Sequence, residues 1–128
     1  MTRVSFAEFF AECKDRLTDV QLRQLEPDAE YLRLSGGYLG LKTRIENGQR
    51  EALVSVAVGS SMRWLWELRD IVHGLDIRRV YFTCRAGGPC ERILKYFQGK
   101  SEPKGFYADG QASLWCSVES DCRRLRHG

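Results

Sequence analysis

Apolar positions along this chain change their spacing repeatedly, and each change marks a change of element. In the first 25 residues they recur at helical intervals: Phe6, Phe9, Phe10, Cys13 and Leu17 form one stripe, with Ser5 and Glu8 as a capping-box signal ahead of it. Thr18 with Gln21 repeats that signal, and Val20, Leu22 and Leu25 predict a short second helix that Pro27 ends. After a short strand expected at Arg3-Val4 and these helices, the period becomes two. Residues 31–34 read as a strand stopped by Gly36-Gly37, and residues 38–45 as another. Residues 50–58 are its partner across Asn47-Gly48, a turn whose residues both tolerate positive φ. Within that partner Val54, Val56 and Val58 are expected on one face and Leu53, Ser55 and Ala57 on the other. Both faces are apolar or small, which predicts a central strand.

The second half alternates strand and helix. Ser60 or Ser61 is expected to cap a helix carrying Met62, Leu65, Trp66, Leu68 and Val72 and ended by Gly74, with Trp64 and Trp66 read as packing residues. A strand at residues 79–84 precedes Pro89, which suits the first turn of a helix carrying Ile93, Leu94 and Phe97 and closed by Gly99. Residues 105–108 and 111–118 form a last strand pair around Asp109-Gly110, a type I′ signal. Two helix N-termini at the exits of neighbouring buried strands create a crevice with backbone N–H groups directed into it.

Composition narrows the function classes. The 128 residues predict one domain over residues 1–122 and a basic tail over 123–128, where Arg123, Arg124, Arg126 and His127 gather. A hydrophobic fraction of 43% and a charged fraction of 29% exclude a disordered or fibrous chain. The net charge of +3 is too small to drive nucleic-acid binding by itself, since each neutralised phosphate needs its own cation. No apolar run reaches the roughly 20 residues of a membrane span, and the start leads into an amphipathic helix rather than a signal peptide, so a cytoplasmic location is expected. Five cysteines, an odd number, are expected reduced. The intervals Cys84 to Cys90 and Cys116 to Cys122 match, but they are wider than zinc knuckles and no metal site is expected. Cys84 and Cys116 read as small core residues. Cys90, at a helix start, reads as a buried inert thiol, with a dipole-activated one as the alternative.

The order helix, helix, three strands, helix, strand, helix, two strands resembles the GCN5-related N-acetyltransferase (GNAT) fold over nearly the whole chain. The resemblance implies an α+β fold with a mixed, mostly antiparallel central sheet flanked by helices, whose central strands splay to admit acetyl-CoA. The pyrophosphate loop of that family, a Gln or Arg followed by spaced small residues, corresponds here to Val58, Gly59, Ser60, Ser61 and Arg63. These are the expected cofactor-binding residues, although the loop is short and has one glycine. The family's second motif (Asn, two residues, Ala, two residues, Leu-Tyr, three residues, Gly-Phe) is retained only at Leu94 and Gly99. Lys95 stands at the tyrosine that protonates the CoA thiolate, and Tyr96 falls one position late, about 100° around the helix. Glu51 is the nearest candidate general base, and its ordinary reading is a solvated strand end. His73 is read as a helix C-cap. A second likeness, in the Ile93-Leu94-Lys95 helix and the Asp109-Gly110-Gln111 hairpin, is to small acetyltransferase-like proteins of short-tailed phages.

The expected function is therefore a catalytically degenerate GNAT-fold protein that acts by binding a protein, as a phage virion component or host-protein inhibitor. The alternative is an acetyl-CoA-dependent N-acetyltransferase, and the third reading is a nucleic-acid-binding module. No residue is assigned as catalytic.

Overall fold

The computed structural model describes residues 1–59, 67–122 and Leu125. Its strands are β1 (Thr2–Val4), β2 (Glu30–Leu34), β3 (Gly37–Glu46), β4 (Gln49–Gly59), β5 (Arg79–Arg85), β6 (Lys100–Phe106) and β7 (Ala112–Glu119). They form one sheet in the order β1-β2-β3-β4-β5-β7-β6, antiparallel throughout except between β4 and β5. The helices among the described residues are α1 (Phe6–Cys13), α2 (Asp19–Gln24), α3 (Leu68–Gly74) and α4 (Pro89–Tyr96), with a 3-10 turn at Lys14–Arg16. Ser5 accepts the Glu8 N–H at 3.1 Å, and Thr18 with Gln21 forms the full reciprocal box expected from the sequence. The stretch assigned to a helix start at Ser60 or Ser61, with Trp64 and Trp66, lies outside the described residues.

The sheet separates two cores. Leu32, Leu39, Leu41, Val80, Phe82, Cys116 and Val118 pack on one face under Leu68, Ile71 and Val72 of α3 and Leu94 of α4. Leu125 is fully buried in that same core, so the chain remains fastened there beyond β7. On the other face Phe9 and Cys13 of α1 pack against Tyr31 and Val56, with Phe9 stacked on Tyr31 at 4.4 Å.

One strand departs from simple alternation. Gly40 pairs with Val56 but Leu41 pairs with Val54, so Ser55 is an extra residue, its hydroxyl donating to the Gly40 carbonyl at 3.1 Å. The bulge flips the parity of β4: Ala52 and Val54 belong to the first core, Val56 and Val58 to the second. The single-face valine row expected from the sequence is thereby corrected, because one inserted residue exchanges the faces of everything after it.

Turns follow local chemistry in one hairpin and not in the other. Asn47 (φ 53) and Gly48 (φ 75) make the expected two-residue turn. At Asp109-Gly110 only Gly110 takes positive φ, and the loop closes by Tyr107 N–H to Gln111 O and Gly110 N–H to Tyr107 O, both 2.9 Å. It is a wider loop with one left-handed residue rather than a type I′ turn. The preceding strand also starts earlier than expected, at Lys100: β6 is an edge strand exposed along its whole length, where Pro103 costs no sheet hydrogen bond.

Candidate functional site

The site begins where β4 and β5 separate. These parallel strands pair only at Glu51 with Arg79, Ala52 with Val80 and Leu53 with Tyr81. Beyond Leu53 the Ser55 bulge bends β4, while β5 continues beside β7 up to Arg85. The gap is a cavity of about 550 Å³, walled by Val54 and Val56 on one side and Phe82 and Cys84 on the other. Arg85, Tyr107 and Gln111 form part of its lining, as does Gln21 of α2.

The β6–β7 loop is pinned across this opening. Arg85 Nη1 donates to Asp109 Oδ2 at 2.7 Å and to Gln111 Oε1 at 3.0 Å, and its guanidinium lies 4.2 Å from the centre of the Tyr107 ring. The Gln111 backbone N–H and then Arg85 hold the Asp109 carboxyl below its ordinary range. Arg85 is the only charged side chain among the described lining residues, and it is already paired.

Of the expected cofactor-binding residues, Val58 is half-buried in the second core and Gly59 ends β4. Ser60, Ser61 and Arg63 lie outside the described residues. Gly59 has φ 130, and a Cβ there would stand 2.1 Å from the Gly36 carbonyl oxygen, so the close approach of the β2–β3 turn requires glycine at this point. At the second helix start, the Gly87 N–H donates to Glu91 Oε2 at 2.5 Å. Glu91, in the first turn of α4, thus reaches back to the backbone just ahead of the Gly88 N-cap and places a negative charge near that helix end.

The other expectations resolve individually. Cys84, Cys90 and Cys116 are buried together, with the Cys84 and Cys116 sulfurs 3.5 Å apart. Burial, then the neighbouring Cys84 thiol, pushes the Cys90 thiol far up, and the same causes push Cys116 up to about 12. Cys90 is accordingly the inert thiol, since desolvation overrides the helix dipole. Tyr96 is 44% exposed and packs edge-on against Phe97, away from the cavity lining. Gln98, not Gly99, takes the left-handed conformation after α4. At Gly99 a Cβ would stand 2.9 Å from the Ser117 carbonyl oxygen as well as 2.2 Å from Leu94 Cδ1, so the close approach to β7 favours glycine there. The His73 Nε2 lies 3.0 Å from the Leu125 carbonyl oxygen, joining α3 to the end of the chain.

Glu51 overturns its reading as a solvated strand end. It is 7% exposed, and both its oxygens are engaged. Oε1 accepts from Arg44 Nε and Nη2 at 3.2 and 3.0 Å, and Oε2 accepts from Arg79 Nη1 and the Tyr81 hydroxyl, both at 3.3 Å. Burial raises its pKa, but the Arg44 hydrogen bonds and the charges of Arg44 and Arg79 outweigh that and hold it low. A carboxylate so neutralised is a poor proton acceptor.

The lining residues Ser55, Thr83, Tyr107 and Gln111 were not singled out as site residues from the sequence. Thr83 interrupts an apolar strand and Tyr107 and Gln111 flank the Asp109-Gly110 turn; polar groups at such places were the available signal.

No family model matches this chain, and no curated protein is detectably similar to it in sequence. Solved structures do match. One is a chain of the NatB acetyltransferase complex bound to CoA and MES, with 13% identity, a TM-score of 0.51, and coverage of 93% of this chain and 99% of that one. The fold is that of the GNAT acetyltransferases. The GNAT-like likeness expected from element order is thereby shown at the level of fold, including the mixed, mostly antiparallel sheet and the splayed central strands. Among the described residues no helix is long and apolar enough to cross a membrane.

Proposed function

We propose that this GNAT-fold protein binds acetyl-CoA between β4 and β5 and transfers the acetyl group to an amine. The observation that carries this reading is the separation of the two strands after three residue pairs, which leaves a cavity of about 550 Å³ among the described residues. The residues fit the group. Val54, Val56 and Phe82 provide an apolar wall for a thioester arm, and past Leu53 the side of β4 facing β5 is free of ladder pairing, so backbone groups are available to amides. Val58, Gly59, Ser60, Ser61 and Arg63 would receive the pyrophosphate at the end of β4. When bound, acetyl-CoA would supply an activated acyl group: a neutral amine would form the N–C bond as the thioester C–S bond breaks, and the amine's surplus proton would pass to the departing CoA thiolate, directly or through water. The hydroxyls of Thr83 and Tyr107 would orient that amine, with Gln111 held by Arg85 and the Ala86 carbonyl beside them, and the apolar wall would keep water from the thioester.

A second reading is favoured by one observation: among the described lining residues there is no carboxylate and no histidine. It is a GNAT fold that has kept the crevice, lost acid–base chemistry and acts on a protein partner, which the phage likeness assigns to the virion or the host. Thermal melting separates the two at the first step. Acetyl-CoA at about 100 times its Kd stabilises the fold by about 2.7 kcal/mol, a rise in Tm on the order of 10 °C. No rise with acetyl-CoA or CoA removes the acetyltransferase reading and leaves the protein-binding one.

A further inference from the structure

The closed end of the splay is held by a short backbone ladder, by the Arg78 N–H donating to the Arg50 carbonyl at 2.7 Å, and by side chains. Three parallel pairs are a short ladder, and the cavity starts one residue past the last of them, at Val54 and Phe82. At the first of those pairs Glu51 links three strands. It receives Arg44 from β3 and Arg79 from β5, and the Tyr81 hydroxyl from the last paired position of β5. The network extends outward from there: Arg44 reaches Glu46 at 3.0 Å, Arg79 pairs with Glu119 of β7, and Arg78 meets Glu119 and Asp121 at 2.9 and 3.2 Å. Tyr81 is braced in turn by Trp115, its ring stacked at 5.5 Å. This cluster of charges crosses the sheet on one line, at the first of the three pairs, two pairs before β4 and β5 diverge.

We propose that Glu51 is a positioning residue: it clamps β3, β4 and β5 together at the closed end of the three-pair ladder, reaches the last pair through the Tyr81 hydroxyl, and so sets the separation of the cavity walls. The inference rests on the acetyl-CoA reading for its binding consequence, but not for its mechanical one. A carboxylate with two acceptor oxygens and a full charge holds two guanidiniums from opposite strands; the isosteric amide has one acceptor oxygen and no charge.

The test compares wild type with Glu51→Gln, and with Leu125→Ala as a variant weakened in the first core without touching the clamp. Hydrogen exchange is read first, without ligand: Glu51→Gln is expected to speed exchange of the backbone amides of residues 51–53 and 79–81 selectively. Leu125→Ala is not expected to do so. Acetyl-CoA affinity is then measured by calorimetry well below each Tm. Wider-set walls lose contacts to the ligand, so an affinity loss of about tenfold is expected for Glu51→Gln and none for Leu125→Ala. Unchanged exchange of these ladder amides in Glu51→Gln overturns the clamp. So does selective exchange with an unchanged Kd, because the walls would then hold without it. If wild type itself binds no acetyl-CoA, the acetyl-CoA reading fails, and the exchange experiment alone decides the clamp.

Discussion

β4 has two neighbours, and it is joined to them in opposite ways. With β3 it pairs from Gly37 and Gly59 at one end to Glu46 and Gln49 at the other, interrupted only by the Ser55 bulge. With β5 it pairs at three positions and then parts. The first seam is a hairpin closed by two adjacent residues, so little chain entropy is lost in bringing its strands together. The second is a parallel contact separated by 19 residues between Gly59 and Arg79, and it rests on Glu51, Arg79 and the core packing of β5. A seam that keeps its full ladder cannot admit a ligand. One that gives up its ladder exposes a binding edge and must be held by side chains instead.

The comparison breaks first at Phe82. This side chain is 1% exposed, in the part of β5 that β4 no longer pairs, and it packs β5 against the first core. Phe82→Ala is expected to cost about 3–5 kcal/mol in urea unfolding, the range for deleting a buried aromatic ring. A loss below 1 kcal/mol would mean that β5 is not braced by that core. The hairpin seam is tested by Gly48→Ala. An L-residue forced to φ 75 loses about 1 kcal/mol, and unfolding cooperativity should be unchanged.

The smallest effect concerns acid. Because the folded-state pKa of Glu51 is lowered, its contribution to stability is complete above the unfolded carboxylate value near 4.3 and is lost as pH falls through the folded value. Glu51→Gln should therefore flatten the decline of stability below about pH 4, by less than about 1 kcal/mol since Arg44 is mostly exposed. Denaturation curves of wild type and variant at pH 7 and pH 3 give the comparison. An identical slope in the two proteins would place the titrating group elsewhere.

Local patterns account for what could be read in advance. The Thr18-Gln21 box, the Asn47-Gly48 turn and Pro89 in the first turn of α4 each depend on residues a few positions apart. The bulge was hidden because Ser55 fits a strand whether or not it is paired. β6 was shortened because Pro103 and its charged neighbours look like a loop until the strand is known to lie at an edge. The cavity residues were hidden for a related reason. Ser55, Thr83 and Tyr107 are unremarkable along the chain and become a lining only when β4 and β5 part.

By itself the sequence determined most of the described elements, their order and the GNAT-like scaffold they form, because helix caps, turn residues and apolar period are properties of neighbours in the chain. Tertiary structure alone decided two things. It opened the crevice between β4 and β5, and it turned Glu51 from a strand-end charge into a buried link among three strands. Each depends on groups brought together from distant parts of the chain or on how far two strands stay paired. Burial and charge pairing of that kind are set by the assembled fold, not by the local pattern.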